Sequence, residues 1–358
     1  MKEMKRKKTL KTTMSILLTL LLLTTLLTHL TTETKTFIST ATKITTKNNT
    51  PNNKTNPLLY IIVDKKGHGD YKKIQQAINN ATPNSTIYIK KGTYNETIQI
   101  KKRIRLLGEN KEKTIICSSP KNRYTIHITT SNVTINNITI KNHKNKIYNM
   151  AIKITAPYTT IKNCIIKNAP IGIGIWSSHN TISNCTIHGC NDEGIALLGT
   201  PQLQTTNNKI TNCEFYKNCD AIEIQYSSHN TISNCKIHNN THAGIDAITT
   251  SDNNTISNCK IHNNTVYGIY LSKSYYNQIT NCDISNNKNG NIIINNKNSG
   301  HSTIICKNTH TKKSSKITHA IQTSLPNKNS NENLYQKIHN LLHRLFFILH
   351  SSMLKNKK

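Results

Sequence analysis

Acidic residues are scarce in this chain. Asp and Glu number 16 among 358 residues, against 47 Lys and Arg, giving a formal net charge of +31. Such a charge invites nucleic acid, but the aromatic partners are missing. The chain holds one Trp and four Phe, and the Lys-rich residues 54–122 contain neither. The charge therefore suits an anionic wall, lipid headgroups or acidic glycans, and no nucleic-acid partner is expected. Leu is rare between Tyr124 and Gly300, which excludes a leucine-rich repeat. No Cys-x-x-Cys pair occurs, which argues against a tetrahedral thiolate metal site. No run within the middle of the chain is long enough for a helix.

What the chain does have is a Cys that keeps returning. Cys164, Cys185, Cys213, Cys235, Cys259, Cys282 and Cys306 recur at intervals of 21 to 28 residues. The first six share one frame, as in Ile182-Ser-Asn-Cys185-Thr-Ile187 and Ile256-Ser-Asn-Cys259-Lys-Ile261. A fixed period of roughly 20–30 residues marks a stacked repeat. Each unit holds short runs of alternating polarity, rich in Ile, broken by Asn, Ser, His and Gly. Three short strands per unit make one coil of a parallel β-helix, an all-β architecture. We expect about eight or nine coils from residue 86 to 306, the Thr86–Ile89 and Ile98–Ile100 runs and a Lys91–Tyr94 turn forming the first. Before them, Asp70–Ala81 reads as a helix with Asp70 at its N-cap and Ile74, Ala77, Ile78 and Ala81 on one face, placed to cover the open end.

The runs Gly69-Asp-Tyr-Lys-Lys-Ile-Gln-Gln-Ala-Ile78, Ile87-Tyr-Ile-Lys-Lys-Gly-Thr-Tyr-Asn-Glu96 and Leu106-Leu-Gly-Glu109 resemble the entry segment of pectin-lyase-like right-handed β-helix proteins. The repeats resemble those of the NosD-type, carbohydrate-binding-and-hydrolysis group. The resemblance spans residues 58–306 and implies the fold. It leaves activity open, because that fold hosts lyases, hydrolases, esterases, epimerases and non-enzymes. Lyases of the fold commonly use Arg or Lys as base beside Ca²⁺-binding acids, yet no Arg lies between Tyr124 and His343. The paired-Asp and Gly-His-Gly motifs of polygalacturonase-like hydrolases are absent, with Asn191-Asp-Glu-Gly194 a loose echo.

The ends read differently. Residues 1–30 run from basic to apolar, as an export signal or N-terminal membrane anchor does. Residues 31–57 and 307–331 have the Thr, Asn, Lys and Ser composition of linkers. Residues 332–350 show apolar positions at helical spacing. That helix either caps the open C-terminal end or lies on a membrane surface. The Cys column reads as buried thiols serving as small apolar filler, since stacked side chains seldom face each other as a disulfide requires.

Aligning the coils on Gly172-Ile173-Gly174, Gly194-Ile195-Ala196, Ala221-Ile222-Glu223, Gly244-Ile245-Asp246 and Gly268-Ile269-Tyr270 puts Glu223 and Asp246 side by side on the outer face. Glu193 and Asp220 share a second position, with Asp192 and His242 one residue earlier. Like charges this close should raise one pKa and create a proton donor. Glu223, Asp246 and Asp220 are thus the catalytic candidates. Asp192, Glu193, His242, Trp176, Tyr226 and Tyr270 are the substrate-binding candidates, with Tyr216 also near enough to stack sugar rings. The insertion Leu198–Asn207 can wall one side. No cofactor is required, although Ca²⁺ suits clustered carboxylates. His179, His188, His229, His238 and His262 repeat with their coils and read as turn residues rather than a metal ladder. The resulting expectation is an exported, surface-held β-helix that presents a face to polysaccharide. The alternatives are a polysaccharide hydrolase or lyase using the carboxylate pair, and a NosD-like copper-supply accessory protein.

Overall fold

A computed structural model describes residues 60–143, 148–295 and 302–306. The expected leader, both linkers and the C-terminal amphipathic helix lie outside the described residues. Within them the chain winds as a parallel β-helix. One sheet has eleven strands and two have nine each. A two-stranded ribbon, Thr205–Thr206 with Ser227–Ser228, stands beside them. The eleven-stranded sheet begins earlier than expected, at Tyr60–Val63. One coil is typical: Thr181–Ser183 in the first sheet, Thr186–His188 in the second and Glu193–Leu198 in the third.

Ile drives the winding. Ile161, Ile182, Ile210, Ile232, Ile256 and Ile279 stack at equivalent positions of the first sheet. All are buried. In the second sheet Phe215 takes the place held by Ile187 and Ile237. Each such side chain contributes roughly 1.5–3 kcal/mol through burial. A β-branched residue also packs well on a pleated surface, so one residue type serves strand formation and core filling together.

The corners need a reversed backbone twist, and Asn supplies it. Asn163, Asn184, Asn212, Asn234, Asn258 and Asn281, each just before a ladder Cys, have φ of 52–54°. Asn tolerates this left-handed region better than most residues because its short polar side chain bonds locally. The Cys that follows turns inward. Its Sγ lies 3.2–3.4 Å from the carbonyl two residues earlier, as in Cys185 to Ser183 and Cys282 to Thr280. A second carbonyl, on the preceding coil, lies 3.7 Å from each of these thiols, that of Ile161 and of Ile256 respectively. All the cysteines are free thiols, as expected.

Two further corners are held by buried Asn columns. Asn230 is representative: its Oδ1 accepts from the backbone N and Nδ2 of Asn208, and its own N and Nδ2 donate to Asn254 Oδ1. Asn218, Asn240, Asn264 and Asn287 repeat the pattern at another corner. Each of these amides thereby bonds to the next coil, which a low-dielectric interior demands.

The entry segment departs from expectation in two places. The helix is shorter, Ile74–Asn80, and Asp70 does not cap it. Asp70 Oδ2 instead accepts from Ile62 N, while the carboxylate of Glu96, a coil later, accepts from Ile74 N and Gln75 N. A long-range acid thus neutralises the exposed donors of the helix start. The helix still buries Ile74, Ala77 and Ile78, packing against Tyr60–Val63, Thr86–Ile89 and Ile98–Ile100. Secondly, Gly92–Asn95 is a strand rather than a turn, because Thr93 and Tyr94 pair with Ile115 and Ile116. Among the described residues no helix is long and apolar enough to cross a membrane.

Replacing Asn230 by Ala strands buried donors and an acceptor on two coils. We expect a loss on the order of 3 kcal/mol, read as a lowered urea midpoint, whereas replacing exposed Lys260 should change little. The thiol column should also be chemically silent. Hydrogen bonding to the preceding thiol, followed by burial, pushes Cys235 and Cys259 up to about 12. At pH 8 the ladder thiols should resist Ellman's reagent in the folded protein, and all 10 Cys should react in denaturant.

Candidate functional site on the third sheet

The third sheet carries the residues with unusual chemistry. Its register places Gly174, Ala196, Glu223, Asp246 and Tyr270 in one outward column, as the alignment of coils anticipated. The same column continues toward the N-terminus through Lys153, His127 and Gln99. Glu193 pairs with Asp220 at the start of the strands. Adjacent members lie about 4.8 Å apart, so groups two dozen residues apart in sequence become neighbours.

The acids are not displayed to solvent, as an outward column suggested. Glu193 is 0% exposed, Glu223 2% and Asp246 8%, with Asp192 and Asp220 equally sheltered. Burial disfavours the charged form. Its effect is greatest on Glu193, whose carboxyl is held well above its usual range by burial first, then by the charges of Asp192 and Glu223 and hydrogen bonds to both. Glu193 is therefore a proton-bearing group of this face. Tyr148 borders the same cluster. Burial first, then Asp192 and Glu193, raises its phenol.

Beside this cluster stands a second arrangement. Asp220 Oδ1 lies 2.7 Å from His242 Nδ1 and accepts from Ala243 N at 2.7 Å. A carboxylate in this place orients the imidazole and leaves Nε2 as the other functional nitrogen. Tyr267 meets the His242 ring edge-on at 6.1 Å, and Tyr270 stacks on Tyr267 at 5.1 Å. Among the described residues, Asp220, His242 and Asp246 each bring a donor atom within 4.8 Å of the other two, so these three could serve as ligands to a divalent cation.

The N-terminal half of the column has the opposite character. Lys153 is 6% exposed, with Nζ 3.2 Å from Tyr124 Oη and 4.9 Å from the centre of the Trp176 ring. Burial first, then Arg123, pushes its ammonium down to about 8. Burial, with Lys153 and Lys101 behind it, pushes His127 down to about 4. Trp176 lies across Gly174, where a Cβ would come within 2.5 Å of the indole. Only Gly lets the ring settle there. Met150, Ile171, Ala196 and Leu198 form an apolar floor beneath, with Tyr124 and Trp176 against it.

Sequence reasoning missed Lys153, His127, Tyr124 and Tyr148. Extending the column to the coil holding Lys153-Ile154 would have found the first. Of the aromatic candidates, Tyr270 lies in this sheet and Trp176 directly follows its Ile171–Ile175 strand, while Tyr267 joins them without having been foreseen. Tyr226 sits half-buried at the bend after Asp220–Gln225, with a left-handed φ of 47°. The insertion reaches that bend, since Gly199 and Thr205 lie against the Tyr226 carbonyl. Tyr216 belongs elsewhere. It ends a second-sheet strand and stacks between His188, at 4.8 Å, and His238, at 5.6 Å. His262 extends that stack. These three His are strand residues rather than turn residues, and their rings lie against one another instead of converging on one point. His179 and His229 do occupy corners.

Comparison with known proteins agrees with this architecture. A family described as a right-handed β-helix region matches residues 104–208 and 151–309, together more than half of the chain. The fold and its stacked coils define a parallel β-solenoid. The chain belongs to the right-handed β-helix family. Among solved structures it resembles pectate lyase Pel9A, with a TM-score of 0.54 and 14% identity over 64% of this chain and 69% of that one. The A-module of the Azotobacter vinelandii mannuronan C-5 epimerase AlgE6 is similar at a TM-score of 0.52 and 15% identity, over 62% and 70%. Likeness at this identity concerns the fold. A pectinesterase/pectinesterase inhibitor of Arabidopsis thaliana is 42% identical over 66 residues, and Pectinesterase 2 of Citrus sinensis 42% over 71. These segments span 12% and 14% of those proteins and 16% and 18% of this chain.

Because the folded-state pKa of Glu193 lies above its unfolded value of about 4.5, its neutral form stabilises the fold at acid pH, and that contribution fades as pH rises through the folded pKa. Glu193→Gln keeps the shape and removes the titration. It should match the parent at pH 4 and unfold at a higher temperature than the parent at pH 8, as differential scanning calorimetry would read.

Proposed function

We propose that this protein is an exported β-helix that acts on polysaccharide along the outer face of its third sheet. One observation carries the reading. A carboxyl held neutral, an Asp-oriented imidazole and an ammonium lowered toward neutrality all lie on one face, beside Trp176 and Tyr270. Burying such groups costs stability, and nothing in the fold requires them, since the Ile, Cys and Asn columns already hold the coils. Titratable groups shifted in opposite directions within one site are what acid–base chemistry uses.

The roles follow from position. Trp176 and Tyr270 offer ring faces to pyranose units. The Asp220–His242 pair suits proton removal, with Glu223 and Asp246 on adjacent coils facing the same strip. Glu193 acts through Glu223, as a neutral neighbour that sets its hydrogen bonding. Pectinesterases and a pectate lyase are among the proteins this chain resembles, which makes pectin the first glycan to try. The basic-then-apolar run of residues 1–30 supports export, and residues 14–30 and 332–350 support contact with a membrane.

A second reading has its own support. The carboxylates are nine-tenths buried, and a face that binds glycan without cleaving it needs no reachable acid. Glu223→Gln and Asp246→Asn separate the two. Reducing-end release from pectin or neutral glycans that falls at least a hundredfold in both variants supports chemistry at this face. Retained glycan binding with no turnover in the parent supports a binding module. If the parent neither binds nor turns over any glycan tested, the polysaccharide reading is wrong.

A further inference from the structure

The first sheet carries a feature that the third-sheet site does not use. Arg103 and Arg105 flank buried Ile104, and alternation along the strand puts both guanidinium groups on the outer surface. Both are exposed, and no ion pair among the described residues engages either. In a chain so rich in Lys, these are the groups suited to forked, two-point binding of an oxyanion.

They border an open cleft of about 330 Å³. The next two coils complete it, with Asn132 and Thr134 on one and Tyr158 and Thr160 on the other. The register is direct: Arg105 pairs with Thr134, and Thr134 with Thr160. Tyr158 therefore stands two coils from the arginines, about 10 Å away, with amide and hydroxyl groups between. Its ring is 53% exposed yet held in place, stacked on His179 at 5.2 Å and 14°. Its backbone φ is 60°, a conformation in which a bulky residue is strained. Asn132 and Asn207 take equivalent corners at less cost. Folding alone does not call for an exposed Tyr there.

We propose that this cleft binds an anionic sugar unit, bearing a carboxylate or a sulfate ester. Arg103 and Arg105 take the anion, Asn132, Thr134 and Thr160 meet ring hydroxyls, and the face of Tyr158 packs on the apolar side of the pyranose. The site lies on a different sheet from the proposed reaction face and stands whether or not that face turns over substrate.

The test uses the full chain and isothermal titration with an oligogalacturonate, a heparin oligosaccharide and a neutral oligosaccharide of equal length. The two anionic probes tell carboxylate from sulfate, and tight binding of either supports the site. The R103Q/R105Q variant should lose roughly tenfold or more in affinity for the preferred anion. Tyr158→Asn should lose several-fold while remaining at least as heat-stable as the parent. A K260Q/K288Q control removes the same charge from other faces and should bind as the parent does. Equal losses in control and arginine variants would mean diffuse charge attraction and overturn the site. So would unchanged binding in R103Q/R105Q or Tyr158→Asn, no binding of either anionic probe, equal affinity for the neutral probe, or equal affinity for a DNA oligonucleotide of matching charge.

Discussion

Coil-to-coil register is the constraint on which the rest of this structure depends. Parallel pairing places each residue directly over its counterpart one coil earlier, so a choice made at one position is repeated as a column. An Ile that packs inward meets Ile above and below. An Asn that caps one backbone amide does so with an oxygen that also receives the previous Asn side chain. These columns make register expensive to change: a slip by one residue would expose the Ile column and strand the buried amides together. Cys works in the same place for a different reason. It is small enough for a tight corner and its weak donor reaches two carbonyls at once, so it fills the interior without demanding a partner of its own.

The same constraint concentrates chemistry. Proteins rarely bury five carboxyl groups such as Asp192, Glu193, Asp220, Glu223 and Asp246 together, least of all one with so few acids. Here the fold leaves them no choice, since the strand that aligns Ile222 with Ile245 also aligns Glu223 with Asp246. Proximity and burial then act in one direction, keeping a proton on Glu193. At the other end of the column the signs reverse, and burial lowers Lys153 and His127. The Trp176 ring and its apolar floor separate the two regions. One face of one sheet thus carries basic side chains at one end and carboxyl groups at the other, with an aromatic centre between them, at right angles to the strands.

Much of this was legible in the residues. The Cys frame announced the period, the Ile alternation announced three strands, and the alignment of third strands put Glu223 beside Asp246 before any coordinates. The failures have physical causes. Asp70 looks like an N-cap by local spacing, but Ile62 N competes for it and Glu96 arrives from a coil away. Tyr216 looked close to the acids in sequence, yet a strand and a corner separate the two sheets, and its ring joins the His stack instead. The Lys91–Tyr94 stretch has turn residues but finds a pairing partner in Thr114–Cys117. Exposure was misjudged because outward register says where a Cβ points and nothing about what neighbouring side chains cover.

The sequence by itself determined the winding: period, strand number per coil, inward columns and corner residues are all local or strictly periodic properties, repeated often enough to be read without coordinates. Only the tertiary structure decided which groups hold protons, because burial and charge proximity depend on distances across coils rather than along the chain. It likewise decided that Lys153 shares a face with the acids, that Trp176 rests in the space left by Gly174, and that two arginines and a tyrosine from separate coils enclose one cleft.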